Sequence, residues 1–156
     1  MIKGYSYQTL IGPMTIVEME GYLVEIRFGD GERDSYQREE TFVIKKAHQQ
    51  MQEYFQGERK VFDLPLRPQG TEFQRRVWAA LLDIPHGETR SYKELAIKIQ
   101  NPKAYRAVGM ANNKNPLPIV IPCHRVIGSN RKLVGYRGGL DTKEKLLGIE
   151  NVQDYQ

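Results

Sequence analysis

The run VFDLPLRPQGTEFQ, residues 61–74, constrains the chain more than any other, because Pro65, Pro68 and Gly70 interrupt any helix or strand that would cross it. The 156 residues are therefore expected to fold in two parts, an α/β domain over 1–66 and a second domain over 67–156. Charge divides at nearly the same place. Residues 1–70 carry nine Lys or Arg against eleven Asp or Glu, whereas residues 71–156 carry fourteen against eight. Within 86–137 only Glu88 and Glu94 oppose ten basic side chains, a positive surface suited to a polyanion such as nucleic acid. A solvated basic face without a partner would have the same composition.

In the first part, GPMTIVEMEGYLVEIRFGDG alternates apolar and polar residues on both sides of EGYL, the pattern of a β-hairpin. Residues 42–55 read as a helix. In the second part, Thr71 is placed to cap a helix over EFQRRVWAALLDI, with Phe73, Val77, Trp78, Leu81 and Leu82 on one face and Trp78 in the core. Two short helical patterns follow PHGETR, namely SYKELAIKIQ and NPKAYRAVGMANN, joined by QNP. Ser91 with Glu94 has the capping-box spacing, Leu95, Ala96 and Ile99 face inward, and Asn101 and Pro102 suit the cap and first position of the second helix. So tight a pair matches a helix-turn-helix, whose second helix enters a DNA groove, although simple helix packing gives the same pattern. Lys103, Arg106 and Lys114 ride on the second helix beside Ala104, Ala107, Gly109 and Ala111. Residues that small let a DNA backbone, or another helix, come close.

One cysteine is present, in NPLPIVIPCHRVIG at 115–128. It forms no internal disulfide, and with three scattered histidines it builds no zinc site of the usual kind, so Cys123 is expected to be free and reduced, and no metal is expected. IVIP reads as a buried strand ended by proline, a rigid place from which to project a side chain. A thiol attacks carbon as the thiolate, and near the reference pKa of about 8.5 only a small fraction is ionised at neutral pH. His124 and Arg125 are neighbours able to favour the anion. Adjacent residues on a regular strand point to opposite faces, so His124 acts on Cys123 only if the chain turns at PCHR or a water bridges them. A general base also needs an orienting partner, here a carboxylate further along the chain. A buried, inert cysteine is the other reading of the same residues.

The segment NPLPIVIPCHRVIGSNRKLVGYRGGLDTKEKLLGIE resembles the signature region of the O6-alkylguanine-DNA alkyltransferases, the methylated-DNA–protein-cysteine methyltransferases, whose Pro-Cys-His-Arg-Val core carries the acceptor cysteine. The likeness runs from SYKELA through NPKAYRAVG to GYRGGL and KLLGIE and covers residues 70–150 with specific motifs. The first 66 residues are similar mainly in size and strand-rich character. The resemblance implies an α+β fold: a small strand-rich N-terminal domain, ribonuclease H-like in the family, then a mainly helical domain with a helix-turn-helix-like DNA-binding element. It implies direct-reversal DNA repair, an irreversible single-turnover transfer of the alkyl group from O6-alkylguanine to Cys123 after the nucleotide flips out, with O4-alkylthymine as a second candidate substrate. His124 then deprotonates Cys123 through a water, Glu150 orients His124, and Asn115 is the hinge between recognition helix and active-site segment. Tyr92 donates to the guanine and crowds the target phosphate, and Arg106 fills the vacated place in the stack. Lys103, Ala104, Tyr105, Ala107, Gly109 and Arg125 are implied DNA contacts, while Pro118, Val126, Gly135, Tyr136 and Arg137 line the base pocket. Tyr105 stands where many relatives have alanine, and Arg137 where small residues are frequent, so groove fit and adduct size are where this chain departs from the pattern. The implied partner is double-stranded DNA carrying O6-alkylguanine, bound by a monomer without a cofactor.

Two other classes share some of these parts. A cysteine hydrolase would also need Cys-His-carboxylate, but it would turn over an acyl substrate and have no use for the helical pair or AYRAVG. A non-catalytic alkylated-DNA sensor shares the scaffold but carries tryptophan in place of the cysteine. No stretch approaches the ~20 apolar residues of a membrane helix, and the opening MIKGYSYQTLIGPMTIVEMEG lacks a signal pattern, so a cytoplasmic protein is expected.

Overall fold

The alternating run of the first unit forms the hairpin it predicts. Strands β2 (Gly12–Met19) and β3 (Tyr22–Phe28) pair antiparallel, and Glu20 and Gly21 turn between them at φ 53° and 84°. Both angles lie in the left-handed region that a two-residue hairpin turn requires. The computed structural model describes residues 1–29 and 35–156; Asp30 and Gly31, at the end of the alternating run, lie outside the described residues. Strand β1 (Ile2–Thr9) pairs antiparallel with β2, and β4 (Gln37–Arg38) runs parallel to β1, giving the order β3-β2-β1-β4. Helix α1 (Phe42–Phe55), capped by the Thr41 hydroxyl accepting from the Ile44 amide, packs on this sheet. Ile44, Ala47, Met51 and Tyr54 on the helix and Met14, Ile16, Leu23 and Ile26 on the sheet are all buried. Enclosing each large aliphatic side chain contributes about 1.5–3 kcal/mol.

The proline-rich break is tied to the first unit before it leaves. The Leu23 amide donates to the Pro65 carbonyl and the Arg67 amide to the Leu23 carbonyl, both at 2.8 Å, while the Gln50 side chain bonds the Asp63 backbone in both directions. The two units accordingly span Met1–Gln69 and Gly70–Gln156, three residues beyond the expected division. Gly70 opens the second unit where a Cβ would lie 2.4 Å from Trp78 Cη2, so glycine is needed for close packing as well as for the break.

In the second unit Thr71 forms a capping box with Gln74 at the start of α2 (Glu72–Leu81), and Ser91 forms another with Glu94 at the start of α3 (Tyr92–Lys98). Val77, Trp78 and Leu81 are buried, and the Trp78 indole donates to the Ala111 carbonyl at 2.9 Å. The buried face is narrower than its pattern: α2 ends at Leu81, so Leu82 lies past the last turn at 51% exposure, and Phe73 is half-buried. Residues Pro102–Ala104 form a 3-10 turn, and α4 begins only at Tyr105 and runs to Asn113. Asn101 makes no side-chain cap there, contrary to expectation, because it feeds that tight turn and not the helix itself. The expected IVIP strand is also absent. Ile119 has φ 76° and the segment folds back in a bridge between Pro118 and Ile121, since three prolines at 116, 118 and 122 remove the donors a strand would use. Strands β5 (Arg90–Ser91) and β6 (Val126–Ile127) pair in parallel, and α5 (Leu140–Ile149) closes the unit. Among the described residues no helix is long and apolar enough to cross a membrane.

Candidate active site

The chain turns where the thiol needs it to. Cys123–Arg125 is a 3-10 turn led by Pro122, with the Arg125 amide donating to the Pro122 carbonyl at 3.0 Å. Cys123 and His124 therefore leave the backbone in directions a strand would forbid. Asn115 braces the approach to this turn: its Nδ2 donates to the Ile121 carbonyl at 2.8 Å and its Oδ1 accepts from the Leu117 amide at 2.9 Å. Cys123 is 5% exposed, and its carbonyl accepts from Asn112 Nδ2 at 3.4 Å.

Behind the thiol sits a group of buried charges. Glu150, the C-cap of α5, accepts from His124 Nε2 at 2.6 Å, from Arg125 Nε at 2.8 Å and Nη2 at 3.2 Å, and from the Gly87 amide at 3.0 Å. Burial alone would raise the Glu150 pKa, but the hydrogen bonds and charges of His124 and Arg125 outweigh it and hold the carboxyl well below the usual range. An ionised carboxylate only accepts, so His124 carries its proton on Nε2 and presents Nδ1 as the basic nitrogen. Burial lowers the His124 pKa further than Glu150 raises it, which keeps the imidazole neutral and ready to take a proton. Cys123 is pushed up by burial and pulled back by a hydrogen bond from the Asn115 side chain and by the charges of Lys143 and Arg137.

Arg125 does not lie where the sequence placed it. At 6% exposure its guanidinium is committed to Glu150 and, through Nη1 at 2.6 Å, to the Ile84 carbonyl, so it faces the interior and offers nothing to DNA. The expected pocket residues divide: Pro118 and Val126 are buried near the turn, whereas Gly135 (φ 55°), Tyr136 and Arg137 belong to the surface segment 132–138. Tyr92 reaches that segment, its hydroxyl donating to the Val134 carbonyl at 3.1 Å, and burial followed by the nearby thiol raises its pKa. Gly109 of α4 packs beneath Tyr92, where a Cβ would meet the ring at 3.6 Å.

Two residues at this site were not found from the sequence. Lys143 on α5 is fully buried, and Asn112 on α4 is 4% exposed against the Cys123 carbonyl. The available signal for Lys143 was its place four residues before Leu147 and seven before Glu150, on the helix stripe that faces inward. On the surface Lys103, Tyr105, Arg106 and Ala107 are exposed beside half-buried Ala104, and Met110, at 66% exposure, joins them unannounced. Tyr105 lies between two cations, the Lys93 ammonium 5.4 Å and the Arg106 guanidinium 5.9 Å from its ring centre. Among the described residues no group of three His, Cys, Asp or Glu side chains is arranged to hold a metal ion.

Comparison with known proteins gives consistent results for both units. Residues 72–152 match the family described as 6-O-methylguanine DNA methyltransferase, DNA binding domain, and residues 2–68 match its ribonuclease-like domain. The chain is 50% identical over 149 residues to a methylated-DNA–protein-cysteine methyltransferase of Methanosarcina acetivorans, covering 92% of this chain and 95% of that one. It is 54% identical over 117 residues to the constitutive methylated-DNA–protein-cysteine methyltransferase of Bacillus subtilis, covering 74% and 71%. The crystal structure of Mycobacterium tuberculosis OGT in complex with DNA superposes with a TM-score of 0.89 at 42% identity, over 96% of this chain and 93% of that one.

Proposed function

Because the chain belongs to the 6-O-methylguanine DNA methyltransferase family, we propose that it repairs DNA by direct reversal, moving the alkyl group from O6 of guanine to the sulfur of its own Cys123. The observation that carries this reading is the buried turn joining Cys123 to a neutral His124 whose other nitrogen is held by an ionised Glu150. His124 takes the thiol proton through a bridging water, and the resulting imidazolium is stabilised by Glu150. The thiolate attacks the alkyl carbon in line, a C–S bond forms, and the C–O6 bond breaks with its electron pair passing to the guanine. Protonation of the departing base restores ordinary guanine, with the Tyr92 hydroxyl as the donor that steadies its charge. The product is a thioether, which water does not hydrolyse, and no second cysteine exists to receive the group. One molecule therefore acts once.

The target atom lies inside the duplex, so the nucleotide is extruded first, at a cost of a few kcal/mol. The exposed surface of the Pro102–Ala104 turn and α4 supports that step: Ala107 and half-buried Ala104 permit close approach, Lys103 meets phosphate, and Arg106 enters the vacated stack. Asn115 acts as the hinge that holds the active-site turn behind α4. Pro118, Val126, Gly135, Tyr136 and Arg137 form the walls that receive the base, and O4-alkylthymine is a second substrate of the same pocket. A monomer working in the cytoplasm completes the proposal, in keeping with a lone reduced thiol. Incubation with a duplex containing one O6-methylguanine tests it by intact mass and peptide mapping. One methyl group on the peptide carrying Cys123, with unmodified guanine left in the DNA, is the expected result; an unmodified protein or release of the group to solvent overturns it.

A further inference from the structure

Arg125, Lys143 and Arg137 all bear on the thiol turn, and they differ in what they have left to give. Arg125 is bound to Glu150 and to the Ile84 carbonyl. The buried Lys143 ammonium donates to the carbonyls of Val126 at 2.6 Å, Val134 at 3.0 Å and Gly135 at 3.2 Å. Arg137 is exposed, its guanidinium makes no hydrogen bond or ion pair with the described residues, and its charge still reaches Cys123. The backbone that carries it is held at both ends. Lys143 grips the residues before it, and the Gly139 amide donates to the Tyr136 carbonyl at 3.0 Å, closing a turn with Arg137 and Gly138 at its tip. A solvated, unpaired cation on a fixed turn beside the acceptor suits an anion that arrives with the substrate.

The reaction says which anion would need it. A methyl or ethyl group brings no charge to the site. An adduct ending in a carboxylate sets a second negative charge close to the carbon that the thiolate attacks, next to a sulfur that is only 5% exposed, where two anions repel more strongly than in water. Arg125 and Lys143 are already committed, which leaves Arg137. We propose that Arg137 is a specificity-determining residue that admits O6-guanine adducts ending in a carboxylate, its guanidinium pairing with that group while Cys123 takes the adjoining carbon. The inference rests on the function proposed above. For O6-carboxymethylguanine the C–S bond forms to the methylene carbon, and the C–O6 bond breaks with its electron pair passing to the guanine, which takes up a proton. The carboxylate crosses unchanged and stays beside Arg137 as S-carboxymethylcysteine.

The test compares second-order rate constants for single-turnover transfer from duplexes carrying one O6-carboxymethylguanine or one O6-carbamoylmethylguanine. The two adducts match in shape and differ in charge, so the change in their rate ratio between variants reports the ion pair, free of size and intrinsic reactivity. Arg137→Gln should lower the carboxymethyl-to-carbamoylmethyl ratio about tenfold, the effect of one charge-assisted hydrogen bond, and Arg137→Lys should keep most of it. Raising salt from roughly 0.05 to 0.5 M should erode the parental ratio and leave that of Arg137→Gln in place. A ratio that Arg137→Gln leaves unchanged overturns the proposal; if both rates fall together, the guanidinium belongs to a DNA phosphate. An Arg137→Lys ratio as low as that of Arg137→Gln, or a parental ratio indifferent to salt, also overturns it. A parent that transfers the carbamoylmethyl group and refuses the carboxymethyl group overturns this proposal and leaves the function standing. A parent that transfers neither of these groups nor methyl removes the underlying function itself, and this proposal with it.

Discussion

The two units of this protein treat charge in opposite ways. In the first, ion pairs such as Lys3–Glu39, Arg59–Glu53 and Arg67–Glu20 stay near the surface, and buried Glu18 only fastens the hairpin turn by accepting from the Gly21 amide. In the second, His124, Arg125, Lys143 and Glu150 are all taken inside, behind the one thiol of the chain. Exposed pairs each contribute about 0–1 kcal/mol, whereas enclosing an ion costs several kcal/mol before its partners repay it. An apolar core and surface pairs are enough to build a scaffold. Charges buried at such expense mark the place where a proton and an electron pair have to move.

The largest break in that contrast comes from the thiol. Cys123→Ser should abolish transfer while duplex binding, measured by fluorescence anisotropy, stays within about twofold of the parent, since the residues proposed to meet DNA are untouched. Any alkyl group acquired elsewhere on that variant would relocate the acceptor.

Glu150→Gln should come next. Loss of the group that holds the His124 proton is expected to slow transfer at neutral pH by roughly a hundredfold, with recovery as rising pH ionises Cys123 unaided. Because the folded-state pKa of Glu150 is depressed, its stabilisation is complete above the ordinary carboxylate value and drains away as pH falls toward the folded value. Denaturant melts of the variant should therefore fall short of the parent by about 3–5 kcal/mol at neutral pH, with the gap narrowing in acid. A constant gap across acid pH would mean that Glu150 acts only by packing.

Arg106→Ala separates extrusion from chemistry. Free O6-benzylguanine already lies outside any helix and should react at the parental rate. On alkylated duplex at saturating concentration, losing about 2 kcal/mol of help against unstacking should slow transfer roughly 30-fold. Equal saturating rates would confine Arg106 to holding phosphates. Parallel losses on both substrates would put it in the pocket.

At the small end, Glu53→Ala breaks a part-exposed pair of the first unit and should shift stability by less than about 1 kcal/mol, leaving transfer unchanged. A larger loss would mean that the first unit also depends on its charges.

Elements whose signals are local were legible in the sequence. Thr71 as a cap, and Ser91 with Glu94 as a capping box, announce two helices, and EGYL announces the hairpin turn through its glycine. The residues themselves marked Cys123 and His124, the resemblance supplied Glu150, and the structure brings His124 and Glu150 within 2.6 Å across 26 residues of chain. What was missed depends on tertiary contacts. Arg125 reads as a DNA contact until Glu150 and the Ile84 carbonyl are seen to claim it, and Lys143 goes unmarked until its three carbonyl partners appear. IVIP has the composition of a strand, but the spacing of its flanking prolines, and the Asn115 clamp, turn it back on itself.

Titration of the protein with excess O6-methylguanine duplex, following repaired guanine against time, bears most directly on the claim that Cys123 is a terminal acceptor. A single burst with an amplitude of one methyl per molecule, all of it recovered on Cys123 and followed by no further repair, is the predicted result. Continued turnover after the burst, or methylation at any other residue, would contradict it.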